Sequence, residues 1–84
     1  MAALELLQPE ISLQNARKPH EIKTLNFGKN TTDVWMDYIT FEMKYGEPTK
    51  VPIIYNRAIK TLKPSLVDNF TTEFSLVKVN SASL

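Results

Sequence analysis

Arg57, Lys60 and Lys63 recur at i, i+3 and i+6, with Lys50 before them and Lys78 after. On a helix this spacing makes a short basic stripe that can meet RNA phosphates or an acidic protein surface, and each neutralised phosphate steepens the salt dependence by about one unit of slope. The same spacing also suits a solvated polar face. Glu42 competes for Arg57. If two helices fold side by side, a Glu42–Arg57 pair would fix their register and leave the stripe with its lysines. Truncating one partner of such a pair costs about 3–5 kcal/mol when the pair is desolvated and about 1 or less at the surface.

Other reactive chemistry is sparse. His20 is the one histidine, set between Pro19 and Glu21, and a metal site needs further ligands at suitable spacing. A Ser-His-Asp arrangement would have to be assembled from scattered residues without a nucleophile elbow. With no cysteine and only two glycines there is neither a thiolate site nor a Gly-rich phosphate loop. No catalytic, metal-ligating or cofactor-binding residue is assigned, and no cofactor or small-molecule substrate is expected. Trp35, Tyr38 and Tyr55 would stack bases only if exposed among basic residues. Their helical spacing, with Asp37 and Thr40 nearby, points instead to packing between helices.

These residues must be positioned by a small fold. A chain of 84 residues makes one domain at most and buries only about 60% of the surface its unfolded form exposes. Hydrophobic residues at 43% and charged residues at 23% exclude a disordered or fibrous chain. A net charge of +1 is too weak a field to argue for nucleic acid by itself. Residues 1–8 lack the basic start of a signal peptide, and no stretch approaches the roughly 18 apolar residues of a membrane span, so a soluble intracellular protein with no membrane partner is expected.

Val34, Tyr38, Phe41 and Tyr45 form one helical stripe and Trp35, Ile39 and Glu42 the adjoining one, a face wide enough for more than one neighbour. Asn30, Thr31 and Thr32 are cap formers, Asp33 suits a helix N-terminus, and Gly46 with Pro48 ends the run, so a helix is predicted at about 33–45. Pro48 and Pro52 mark the entry to a second, about 51–63, whose Val51, Ile54, Tyr55, Ala58 and Leu62 lie on one side. The short connection makes the two antiparallel. Pro64 stops the second helix, and Ser65 with Asp68 resembles a capping box for a third that carries Leu66, Val67, Phe70, Phe74 and Val77. Residues 79–84 lose periodicity and are expected to fray. Before the hairpin, Leu4, Leu6 and Leu7 suggest a short helix, and Ile11, Leu13, Ala16, Ile22 and Leu25 another. That second one is interrupted by Pro19, whose cost of about 3 kcal/mol predicts a kink or a start near His20. Gly28 is a natural terminator.

The Ile22–Leu25 tetrapeptide and that at 59–62 are identical at a shift of 37 residues, which Leu4-Glu5 and Phe41-Glu42 share. Periods of this length mark helical solenoids. Trp35, Tyr38 and Glu42, then Gly46, then Tyr55, Arg57 and Ala58 resemble the half-a-tetratricopeptide (HAT) repeat. The resemblance implies a non-catalytic scaffold that stacks helix pairs in an RNA-processing complex. Within that group it points to the nucleolar, pre-ribosomal branch, whose expected partners are small-subunit processome proteins and U3 small nucleolar ribonucleoprotein components, with RNA contact largely indirect. Proline in the Ala16–Glu21 segment departs from the repeat pattern. Proteins of this kind are several times longer, so the chain reads as a fragment or a truncated relative.

The sequence therefore predicts an all-α solenoid fragment: an irregular or degenerate preceding repeat (1–30), a HAT-type antiparallel hairpin (31–64), a capping helix (65–78) and a flexible tail (79–84). Trp35, Tyr38, Ile39, Glu42, Tyr55, Arg57, Ala58 and Leu62 are its packing residues. Lys50, Arg57, Lys60 and Lys63 are its candidate partner or RNA surface. The alternatives are a direct RNA-binding module, or a truncated duplicate without retained activity.

Overall fold

The computed structural model describes residues 9–83, with the side chains of 12–77, and these form four α-helices: α1 Pro9–Phe27, α2 Asp33–Lys44, α3 Val51–Thr61 and α4 Pro64–Ser83. A 3-10 turn, Pro48–Lys50, leads into α3. The all-α architecture with an antiparallel hairpin, expected from the sequence, is present. The suggested helix at Leu4–Leu7 lies outside the described residues.

The hairpin forms where periodicity and breakers place it. At the start of α2 the Thr32 carbonyl accepts the N–H groups of Trp35 and Met36 at 3.1 and 3.0 Å, while the Thr31 hydroxyl accepts the Asp33 N–H at 3.1 Å. The Thr32 hydroxyl does not cap. It donates to Glu73 Oε1 of α4 at 2.8 Å. At the other end the Tyr45 and Gly46 N–H groups both reach the Phe41 carbonyl. Glu47 is extended before Pro48, the conformation favoured ahead of a proline. Leu62 leaves α3 in an extended conformation, and the Lys63 N–H bonds the Lys29 carbonyl at 3.0 Å, which ties the turn after α3 to the turn after α1.

Two boundaries differ from expectation. Pro64, not the residue after a Ser65 cap, opens α4, because a ring-fixed φ and a missing N–H are no handicap in a first turn. The same helix extends to Ser83, past the expected end at residue 78. The segment Asn80-Ser81-Ala82-Ser83 contains neither glycine nor proline to stop it.

The core is Trp35, Met36, Tyr38, Ile39, Val51, Ile54, Ala58, Leu62 and Phe70. Full burial of Ile39, Ile54 and Phe70 contributes about 1.5–3 kcal/mol each. Central α2 packs against α1, α3 and α4, which is why its apolar face is so wide. Tyr55 of α3 sits against Phe70 and Phe74 of α4, with ring centroids 5.5 and 4.5 Å away. The molecule is a slab of 49 × 33 × 16 Å, little thicker than one helix of about 10–12 Å.

The largest departure is α1. It begins at Pro9 and is helical through Pro19, so the late start near His20 does not occur. Asn15 and Pro19 both lie on the exposed side, so the carbonyl that loses its partner faces solvent instead of protein. The side of α1 that meets α2 carries Arg17, His20, Glu21 and Thr24, whereas Ile22 and Leu25 point outward at 57% and 85% exposure. The identical tetrapeptides also occupy different settings: Thr24 is buried and Leu25 exposed, but Thr61 is half-buried and Leu62 buried.

Candidate functional site

Helix α1 docks on the hairpin through a polar seam built from residues spaced i, i+3, i+4 and i+7. Glu42 is fully buried. Its carboxylate accepts Arg17 Nε at 2.7 Å and Arg17 Nη2 at 3.0 Å, and also the Glu47 N–H at 2.9 Å. Burial alone would raise the Glu42 carboxyl, but these donors outweigh it and hold the group below its ordinary value. Gly46 completes this clamp: a Cβ there would overlap Glu42 Oε1 and come within 2.9 Å of its Cδ.

The expected Glu42–Arg57 pair does not form. Arg57 gives both Nη atoms to Glu21 at 2.8 and 2.9 Å, with its guanidinium 5.7 Å from the centre of the Trp35 ring. The reason is α1, which brings each of the two residues a partner of opposite charge. Glu21 also accepts the Tyr38 hydroxyl at 2.5 Å. Burial and the neighbouring carboxylate push the Tyr38 phenol up to about 12. Trp35 Nε1 donates to the Gly28 carbonyl at 2.8 Å, a close approach in which a Cβ on Gly28 would strike the indole and the Thr24 carbonyl.

His20 stacks on Tyr38 at 5.2 Å and 11° and leans on Phe41 at 5.0 Å. Its buried Nδ1 has no hydrogen-bond partner, and burial, helped by Lys23, lowers its pKa against the opposing pull of Asp37 and Glu42. No cluster of metal-ligating side chains occurs among the described residues, and none of their helices is long and apolar enough to cross a membrane.

Of the expected packing residues, Trp35, Tyr38, Ile39, Glu42, Ala58 and Leu62 are buried, Tyr55 is half-buried and Arg57 lies at the edge of the seam. The basic stripe is split. Lys50 sits at the opposite end of the seam, lining a small cleft with Arg17 and Glu47, and Arg57 is committed to Glu21. Lys60 and Lys63 remain exposed, joined by Lys29, which the sequence reading missed. Lys29, Ile22, Leu25, Trp35, Arg57 and Thr61 line a cleft of about 380 Å³ between α1 and α3. Arg17, Glu21 and Thr24 were also missed. Their i, i+4, i+7 spacing is the signal that the sequence carries, but a polar stripe of this kind reads as a solvated face.

Over residues 1–62 the chain matches the family model described as U3 small nucleolar RNA-associated protein 6, C-terminal. The chain belongs to this family. It is 31% identical over 78 residues to the mouse U3 small nucleolar RNA-associated protein 6 homolog and 30% identical over 78 residues to the human one. Each alignment covers 90% of this chain but 13% of the relative, so the chain spans only a small part of the curated proteins it matches. No solved structure matches it. Within this member of the U3 small nucleolar RNA-associated protein 6 C-terminal family, the matched stretch contains α1, α2 and α3 with the Arg17–Glu42 and Arg57–Glu21 bridges of the seam, while α4 lies beyond it.

Proposed function

We propose that this chain is a non-catalytic, HAT-type scaffold module of the U3 small nucleolar ribonucleoprotein and small-subunit processome, acting in ribosomal RNA processing in the nucleolus. Family membership supports the complex. The scaffold role rests on one observation, the outward-facing Ile22 and Leu25 of α1 on a slab nearly one helix thick. A helix that meets its neighbour through charged and aromatic groups and leaves its aliphatic side chains outside presents a face to be covered by protein. Processome proteins are the direct partners in this reading, and RNA is held through them. Direct RNA binding is the weaker reading, since the candidate stripe is divided and Trp35 is only 2% exposed, leaving no indole face for a base.

The test is purification of the tagged full chain from nucleolar extract, followed by quantification of U3 RNA and mass spectrometry before and after nuclease. Enrichment of U3 RNA, with processome proteins retained after nuclease, is expected. Absence of U3 RNA enrichment over an untagged control would refute the complex assignment. Loss of all proteins after nuclease would refute the scaffold role in favour of RNA binding.

A further inference from the structure

We infer that the cleft between α1 and α3 is a docking site for an acidic amphipathic helix of a protein partner, which would insert an apolar side chain beside Leu25 and set its carboxylates against Lys29, Lys60 and Lys63. This rests on the scaffold reading and names the partner's chemistry. The cleft's volume of about 380 Å³ is at the low end of the roughly 300–1,000 Å³ of ligand sites, enough for one or two large side chains. Its walls are aliphatic, Ile22 and Leu25 from α1, one turn apart and already exposed. Two apolar residues at i and i+3 on one helix are the footprint that a second helix packs against.

The rim decides the sign of the partner. Lys29 lines the cleft, Lys63 is bonded to it through the backbone at 3.0 Å, and Lys60 sits next to Thr61, another lining residue. All three lysines are exposed, and no ion pair among the described residues involves them. The one carboxylate lining the cleft, Glu21, is neutralised by the bidentate Arg57 bridge, so the local excess is positive. RNA also carries negative charge, but the single tryptophan is turned edge-in with its N–H on Gly28, and the exposed uncharged groups in the cleft are aliphatic. Aliphatic walls with a cationic rim complement leucines flanked by carboxylates, not stacked bases.

Trp35 is the only tryptophan in the chain and lines the cleft, so its fluorescence reports occupancy. The probe is a short helical peptide with leucines at i, i+3, i+4 and i+7 and glutamates between. Controls are the same peptide with lysines for glutamates, the same with serines for leucines, and an oligouridine. The glutamate peptide is expected to change the Trp35 signal of the full chain and to bind at least about tenfold more tightly than any control. Leu25→Glu should weaken it at least about tenfold, as should Lys60→Glu combined with Lys63→Glu. Ile53→Glu, at a residue 58% exposed that does not line the cleft, should leave it unchanged. Circular dichroism verifies that each variant is folded, and the lysine variants carry the test if Leu25→Glu is not. Equal binding of the acidic and basic peptides, preferential binding of oligouridine, or full affinity in the cleft variants would overturn the inference. If in that event the tagged chain still retains processome proteins after nuclease, only the cleft assignment falls; if it does not, the scaffold reading falls as well.

Discussion

Glu42→Gln is the sharpest perturbation of the seam. The carboxylate is fully buried and receives three hydrogen bonds, two of them from Arg17. An amide whose oxygen takes the place of Oε1 can still accept the Glu47 N–H and Arg17 Nη2, but its NH₂ group turns a donor toward Arg17 Nε, which has only a donor to offer. One charge-assisted bond, worth about 1.5–3 kcal/mol, is lost and the other loses its ionised acceptor, and relief of the carboxylate's desolvation returns part of that. Because the Arg17 side chain keeps 16% exposure and can draw water, the net loss should fall at the lower end of the range for a broken buried pair, about 3 kcal/mol. A chain of this size has a total stability of about 4–13 kcal/mol and shifts its Tm by about 4–8 °C per kcal/mol, so Tm should drop by about 12–24 °C. Urea and thermal unfolding followed by far-UV circular dichroism measure it. Adding Arg17→Met completes a double-mutant cycle with an expected coupling of about 2 kcal/mol. Glu21→Gln, in the bridge whose side chains are 43% and 45% exposed, should cost only about 1 kcal/mol. A loss below about 1 kcal/mol for Glu42→Gln would refute the argument, because the pair would then behave as a surface bridge.

Stability should fall in two steps with acid. His20 titrates below its ordinary value of 6.5 in the fold, so its contribution is complete above that value and is lost as pH falls through the folded value; Glu42 and Glu21, both held below 4.5, add a second loss below that pH. Urea midpoints between about pH 8 and pH 3 trace both steps, and His20→Phe should abolish the first while preserving the second. At the alkaline end, Tyr38 held up to about 12 should appear as a late step in a tyrosinate absorbance titration, with stability lost as pH rises through that range, and Tyr38→Phe should remove the step. Gly46→Ala should cost about 1–3 kcal/mol in urea unfolding. Gly46 has no positive φ, so a neutral or stabilising alanine would show that the Glu42 carboxylate yields freely.

The hairpin was legible because each local signal agrees. The apolar period of α2 and α3 is helical, Gly46 and Pro48 separate them, and the residues expected to pack are mostly those that do. The seam was not legible, because α1 reverses the usual polarity. Its contact face reads as a solvated stripe and its solvent face reads as a core, so amphipathicity gives its orientation backwards. Pro19 compounded the error, since the usual penalty for an interior proline takes no account of where the orphaned carbonyl points. Both errors propagated to the charges. With α1 omitted, Glu42 and Arg57 read as each other's partner, and the lysine that completes the cleft rim, Lys29, belongs to a turn placed by long-range bonds, its own carbonyl to the Lys63 N–H and the Gly28 carbonyl to Trp35 Nε1.

The polar seam also explains how an exposed aliphatic face can be held in a defined position. A purely apolar contact between α1 and α2 would tolerate sliding by a turn at modest cost, because dispersion and burial are nondirectional. Here a slip of one turn would carry Arg17 away from Glu42 and Glu21 away from Arg57 together, leaving a buried carboxylate unpaired, and that state costs several kcal/mol. The two bridges sit one turn apart on α1 and grip different helices of the hairpin, Glu42 on α2 and Arg57 on α3. One bridge alone would leave α1 free to pivot; two fix both its register and its rotation. Rotation is what places Ile22 and Leu25 at the mouth of the cleft, so an Arg17→Met variant that remains folded should lose affinity for the acidic peptide even though Arg17 does not line that cleft.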